Sequence, residues 1–447
     1  MWKLNSIKQE VSMNYVNDSR LEQFRQLKKE IRGSEEYLII GIDVAKEKHR
    51  AFFGTAQGKT LLKNVVFDNT IEGFEKLDAY VERIKVQYSL PKVVFGIEPT
   101  ADYHKPLAEH LLKCGLMVVF VGGTAVKKNR QLLHGRWDKN DDKDSANVAD
   151  LIAQGKCMFY EYPLMTLRNV RILNALKRRL TKREHGISAY IRNHILAQYF
   201  PELDKYYGSS ETLAVVRECL DPSAIAGMEY DDFCRTVAPG KMTLARERRV
   251  GAIWRTAVNS VGCTMGEAAF HEAQLAVDSL KRVRQEIKAV DDKLENACLE
   301  FPEYQYLLSI PGFGPDVSAK VLGAIGDPHR FTSGKEVLRL AGLDLCAQRS
   351  GKTSNSATPV ISKQGKADLR CALYQAAFIA SIKSKDFIPY FTNKLAGRAK
   401  EKGIGTKMRV KLAAKLLIIA WTLMKKKECF DPKYLKLENR VERKTAA

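Results

Sequence analysis

A chain of 447 residues, 45% of them hydrophobic, is too long for one ordinary domain and too apolar to be disordered, so two or three packed domains are expected. Its 73 Lys and Arg outweigh 52 Asp and Glu to leave a formal net charge of +21, which points to a polyanionic partner, most often nucleic acid. A secreted or membrane-spanning protein is not expected: the N-terminus alternates charged and polar residues, and the most apolar late segment, 412–424, is short and flanked by Lys. The expectation is a soluble cytoplasmic protein associated with the nucleoid.

Residues 1–36 read as a polar arm with a helical pattern from about Arg20 to Ile31. Tyr37-Leu38-Ile39-Ile40-Gly41-Ile42-Asp43-Val44-Ala45 is a nearly continuous apolar run and predicts a fully buried strand. His49 to Phe53 predicts a second strand in a hairpin with it, and 59–67 a third. Ile71, Phe74, Leu77, Tyr80, Val81 and Ile84 are spaced as one face of a helix over 71–84. Lys92 to Glu98 predicts a fourth strand, 103–113 a helix closed by Gly115, and 116–121 a fifth strand. Gly122-Gly123 then opens another helix. A meander passing into β-α-β units predicts an α/β domain over 37–162, a mixed five-stranded sheet with helices packed on it.

The strand pattern stops at Pro163, and 163–300 reads as a basic helical and coiled-coil region. Leu164 to Phe200 predicts one long helix carrying Arg168, Arg171, Lys177, Arg178, Arg179, Lys182, Arg183 and Arg192, a surface suited to nucleic-acid phosphates. Ala276, Leu280, Val283, Ile287, Val290, Leu294 and Ala297 alternate spacings of four and three, the seam of a coiled coil within one chain or between the chains of a dimer or tetramer. Residues 301–447 predict an all-α C-terminal domain with helices over 369–383 and 407–424. At its start, Ser309 to Pro315 has the pattern of a helix-hairpin-helix turn, whose free N–H groups around Gly312 and Gly314 suit a DNA phosphate. The nine cysteines (Cys114, Cys157, Cys219, Cys234, Cys263, Cys298, Cys346, Cys371 and Cys429) show no CxxC pair and no grouping with histidine. They read as reduced, mostly buried thiols, and a zinc site is not expected.

An unpaired carboxylate in a buried strand is costly, so Asp43 calls for a metal ion, a basic partner or a proton. Glu98 ends the fourth strand as Asp43 ends the first. Asp141 and Asp144 share a face at spacing i, i+3 if 139–150 is helical, with Asp142 and Asp150 close by. Four carboxylates in a small volume repel one another, and two magnesium or manganese ions would reconcile them.

A strand Asp, a strand-ending Glu and a helical Asp-x-x-Asp on this topology resemble the RuvC-like branch of the ribonuclease H fold. The segments IGIDVAKEKH (40–49), GIEPTADYH (96–104) and KNDDKDSANVADLI (139–152) resemble, more narrowly, the DEDD transposases of the IS-one-ten type, related to the Piv DNA invertases. The resemblance implies that Asp43, Glu98, Asp141 and Asp144 are a metal-binding catalytic tetrad; Asn140 and Ser145 stand where the family has Thr and Ala. LSIPGFGPDVSAKVLGAIGD (308–327) and LAGLDLCAQRSGKTSNSATPVISKQGKADLRCALYQAA (340–377) resemble the C-terminal domain of the same family. On that match Ser350 is the nucleophile, with Ser354, Ser356 and Ser362 sharing its loop and Arg349, Lys352 and Lys363 placed to bind phosphate. The resemblance covers about 37–155 and 300–385. It implies an insertion-sequence transposase or site-specific recombinase acting on double-stranded DNA, guided by a bridging non-coding RNA. The alternatives are a RuvC-like structure-specific nuclease using the acids alone, and a non-catalytic nucleic-acid-binding protein.

Overall fold

The computed structural model describes residues 19–134, 141–346 and 359–435. The chain divides into two compact units, one ending at Leu164 and the other starting at Met165. In the first, strands β1 (Tyr37–Asp43), β2 (Lys48–Thr55), β3 (Thr60–Asp68), β4 (Lys92–Glu98), β5 (Met117–Phe120) and β6 (Met158–Phe159) form one sheet in the order β3-β2-β1-β4-β5-β6. β1 is antiparallel to β2 and parallel to β4, and β4 is parallel to β5. The sheet thus has six strands where five were expected. The extra strand, β6, is two residues long and pairs antiparallel at the edge, too short to leave any period-two signal.

Helices α1 (residues 19–30), α2 (Ile71–Tyr88), α3 (His104–Lys113), α4 (Gly123–His134) and α5 (Asp141–Ala153) belong to the same unit. Alternation along β1 serves two cores. Leu38, Ile40 and Ile42 pack with Phe74, Leu77 and Val81 of α2 and with Leu107 and Leu111 of α3. Ile39 packs with Val148 and Ile152 of α5. Both faces are covered, which is why the strand reads as an unbroken apolar run. The N-terminal arm is corrected in part: Leu27 and Ile31 are buried in the second of these cores. With Phe24 they form an i, i+3, i+7 stripe that the surrounding charges mask.

In the second unit α6 (Met165–Tyr190) continues into a π-helical turn, Ile191–Leu196, so the helix expected to run unbroken to Phe200 changes its winding at Tyr190. The helix Glu267–Leu299 packs along α6. Contacts of Lys177 with Asp291, Glu184 with Arg284 and Tyr190 with Glu272 run in opposite directions along the two helices, so the pair is antiparallel. Leu280, Val283, Val290 and Leu294 of the heptad seam are buried within this single chain. That corrects the expectation of an oligomer formed through the seam, because α6 covers it. Among the described residues the remaining helices of the unit build two large cores, besides a small cluster of Phe391, Ile404 and Met408. One gathers Ile191, Phe200, Leu213, Phe233, Val250 and Val277; the other gathers Leu307, Leu322, Ala376, Ala380, Leu416 and Leu423.

Among the described residues no helix is long and apolar enough to cross a membrane. Cys157, Cys219 and Cys298 are buried, but Cys114, Cys263, Cys346, Cys371 and Cys429 are exposed, against the expectation of mostly buried thiols. His110 and Cys114 lie one helical turn apart at the end of α3, so a cysteine–histidine grouping that the sequence reading discounted is present.

Candidate active site

β1 and β4 run in parallel register that pairs Gly41 with Gly96 and Asp43 with Glu98. Neighbouring strands lie about 4.8 Å apart, so the two acids end their strands side by side. Residues two apart point to the same face, and both acids share that face with both glycines. α5 sits on the glycines at unusually close range. A Cβ on Gly41 would collide with Ser145 O and lie 2.6 Å from Ala149 N, and one on Gly96 would collide with Ile152. The absence of two side chains lets the backbone of α5 touch the sheet, which draws the turn holding Asp144 towards the acid end of β1. Asp144 is 3% exposed and forms an ion pair with Arg130 of α4. Asp141 opens α5 one turn earlier; its side chain lies outside the described residues.

Glu98 reaches the start of α4, where a Cβ on Gly123 would sit 2.7 Å from Glu98 Oε1. Unpaired N–H groups and the helix dipole favour an anion at that end. Asp43 faces Arg50 across β2 and lines an open depression with Lys46, Glu47 and Lys48. His49 is buried, and its Nδ1 accepts from Ala45 N at 3.2 Å, holding the loop that follows Asp43. Burial pushes the His49 pKa down, which keeps the ring neutral. Asp150 is a bystander to the acids: it accepts from Asn129 at 2.8 Å and Gln154 at 2.7 Å, and so ties α4 to α5. Neither His49 nor Asn129 stood out in the sequence, because their work is to hold backbone and helices in place. As a donor set, Asp43, Glu98 and Asp144 are hard oxygen ligands fit for magnesium or manganese. Asp144 Oδ1 is the atom that meets Arg130, so an ion bound there would share that carboxylate with the arginine.

In the second unit the short strands β7 (Leu345–Cys346) and β8 (Val360–Ile361) form a ribbon, and Arg349, Ser350 and Lys352 fall between them, outside the described residues. The flanks of that stretch are tightly built. Ser362 Oγ donates to Asp344 Oδ1 at 2.6 Å, and Arg370 Nη1 donates to Ala341 O at 2.8 Å. Lys363 is exposed with left-handed backbone, φ 57°. Along α6, Arg171 Nε donates to Gly323 O at 2.7 Å, capping the end of another helix, and Arg178 pairs with Asp368 at 2.6 Å. Arg168 is half-buried, whereas Arg178, Arg179, Lys182 and Arg183 form an exposed basic ridge.

The helices Pro302–Leu308 and Pro315–Ile325 flank the expected hairpin turn. Its two glycines differ. Gly312 has φ +93°, and a Cβ there would lie 2.5 Å from Ala376 O; Gly314 has nothing within 4 Å. Gly312→Ala is therefore expected to cost about 1–3 kcal/mol in urea unfolding, from overpacking and left-handed strain, and Gly314→Ala to leave the midpoint unchanged. Equal midpoints for the two variants would contradict this division.

A family model for DEDD transposases of the IS110 type matches residues 40–201, and one described as "Transposase IS116/IS110/IS902 family" matches 304–392. The chain is 21% identical over 409 residues to the insertion element IS116 uncharacterized 44.8 kDa protein of Streptomyces clavuligerus, spanning 88% of this chain and 96% of that one. It is 23% identical over 353 residues to the insertion element IS110 uncharacterized 43.6 kDa protein of Streptomyces coelicolor, spanning 76% and 83%. A shorter similarity, 26% over 158 residues, links it to the pilin gene-inverting protein of Moraxella lacunata, covering 34% of this chain and 48% of that protein. With the N-terminal acids inside one matched domain and the serine loop inside the other, the chain carries both transposase domains of the IS110/IS116 family, whose members cut and rejoin DNA.

Proposed function

We infer that the chain cuts double-stranded DNA with Asp43, Glu98, Asp141 and Asp144 as a metal-binding tetrad and rejoins it through Ser350, under the guidance of a bridging RNA. The observation that carries this reading is the paired register of Gly41 with Gly96 and Asp43 with Glu98 beneath α5. Two carboxylates side by side at neighbouring strand ends repel each other, and folding alone gives no reason to pair them. Magnesium or manganese, when bound by these acids, supplies charge stabilisation at a phosphate and acidifies a bound hydroxyl.

Ser350 Oγ attacks the phosphorus, its proton passes to solvent, and the bond to one sugar oxygen breaks. One phosphodiester replaces another, so the bond energy is kept for rejoining. Support for Ser350 over Ser362 comes from the hydrogen bond that already commits the Ser362 hydroxyl to Asp344. Arg349, Lys352 and Lys363 neighbour the serine in sequence and give the phosphate its cations. The exposed ridge of Arg179, Lys182 and Arg183, with the net charge of +21, supports a nucleic-acid partner and suits RNA and DNA alike. Pairing two DNA ends calls for more than one copy of the chain, through a surface other than the heptad seam. Work on chromosomal DNA puts the protein in the cytoplasm, at the nucleoid.

The protein, copurified RNA, magnesium and element-end DNA are incubated and resolved on a denaturing gel. A covalent protein–DNA species lost in Ser350→Ala and in Asp43→Asn, and abolished by ribonuclease, is the expected result. Cleavage that survives Ser350→Ala but not Asp43→Asn would assign a plain RuvC-like nuclease instead. Binding without cleavage under any condition would leave only a scaffold.

A further inference from the structure

On the sheet face opposite α5, three ligand-type side chains converge: Asp78 of α2, His110 in the last turn of α3, and Cys114 just past it. His110 Nε2 lies 2.8 Å from Asp78 Oδ2 and 4.0 Å from Cys114 Sγ, and the three ligand atoms fall within 4.8 Å of one another. Both contacts use the same ring nitrogen. An Asp–His–Cys proton relay needs the two ring nitrogens facing opposite partners, so this grouping is a tripod and not a relay. Helical spacing explains half of it, because residues 110 and 114 share one face. The other half comes from α2, whose Phe74 ring packs against His110 at 5.3 Å between centroids and helps to orient it.

Thiolate, imidazole and carboxylate together are the donor set of zinc. Bonds of roughly 2.0–2.3 Å in tetrahedral geometry put ligand atoms about 3.3–3.7 Å apart. The sulfur–nitrogen separation is already close to that, and the Asp–His contact widens to it once a metal replaces the proton between them. Asp78 Oδ1 is buried and makes no hydrogen bond, which marks a carboxylate incompletely satisfied by its present neighbours. Cys114 is exposed, so an ion has a path in. The strand-end acids are all hard oxygen donors; this softer set selects a different metal.

We propose that Asp78, His110 and Cys114 bind one zinc ion per chain, with a fourth position left to water, and so clamp α2 to α3. The site is independent of the tetrad. The test uses full-length protein purified with a chelator, then titrated with cobalt in excess magnesium. A thiolate-to-cobalt absorption band that saturates at one equivalent, is displaced by zinc and is lost in Cys114→Ser and His110→Gln is expected. The band should persist in Asp43→Asn, which separates this site from the tetrad. Zinc should also raise the melting temperature of the unmodified chain and of Asp43→Asn, but not of Cys114→Ser. Because Cys114 is exposed, its metal-free melting curve should match the parent and show that the fold is intact. No band in the parent protein, or an undiminished band in Cys114→Ser, would overturn the proposal.

Discussion

Gly41→Val is expected to abolish DNA strand cleavage and to lower the stability of the first unit by about 1–3 kcal/mol, the usual penalty of an overpacked core. Any side chain at Gly41 meets the main chain of α5, at Ser145 O and Ala149 N, and a helix backbone has no rotamer with which to yield. α5 must lift, and Asp144, which precedes Ser145 in that helix, moves with it. On the proposed mechanism, losing charge stabilisation worth several kcal/mol in the transition state corresponds to a rate loss of about three orders of magnitude. Cleavage assays and urea unfolding of the same preparation test both parts. Gly186→Ala is the control, since Gly186 lies in α6 with nothing within 4 Å. A Gly41→Val protein that still cleaves would show that the helix does not need its close seat.

Glu211→Gln is expected to destabilise the second unit by about 3–5 kcal/mol, the range for breaking a buried ion pair. Glu211 is 2% exposed and accepts from Arg246 Nε at 2.8 Å and Arg249 Nη1 at 2.9 Å. Burial alone would raise its pKa, but its own backbone N–H, the two arginines and Ser210 outweigh burial and bring it down to about 2. A folded value below the ordinary 4.5 means that the stabilisation is present above about 4.5 and is lost as pH falls towards 2. The shift corresponds to about 3 kcal/mol at neutral pH. Unfolding midpoints at pH 7, 4 and 3 should therefore fall steeply for the parent chain and more gently for Glu211→Gln. Parallel pH slopes would remove Glu211 as the cause.

Where sequence and structure agree, the reason is periodicity. The first five strands, the helices between them and the turn at 309–314 all follow from spacing that local geometry enforces. The strand-end positions of Asp43 and Glu98 were legible too, because each acid interrupts an apolar run. Their lateral pairing was not, since register between β1 and β4 depends on contacts far apart in sequence. The same limit hid the partner of the heptad seam: spacing announces an apolar stripe but not which helix covers it. It also hid the seat of α5, because a glycine in a strand looks alike whether a helix or solvent lies above it. Arg171 and Arg178 show the converse. Positive residues on a long helix read as a phosphate surface, yet Arg171 caps another helix and Arg178 is paired to Asp368.

The antiparallel pair of long helices gives residues 197–266 a status of their own. The chain departs at Tyr190 and is back at Glu272, and a hydrogen bond joins the two points. Everything between folds around an apolar cluster that also takes in Ile191, Ala273, Val277 and Leu280 of the two long helices, so it sits on the end of a two-helix stalk. Asn174 is anchored to Ala319 at the base, and from there to Tyr190 the helix rises roughly 24 Å. Such a head is an insertion in the architectural sense: a short turn across the tip would close the stalk without it. A change in the size of the head is thus expected to leave the base of the stalk, at Asn174 and Ala319, in place.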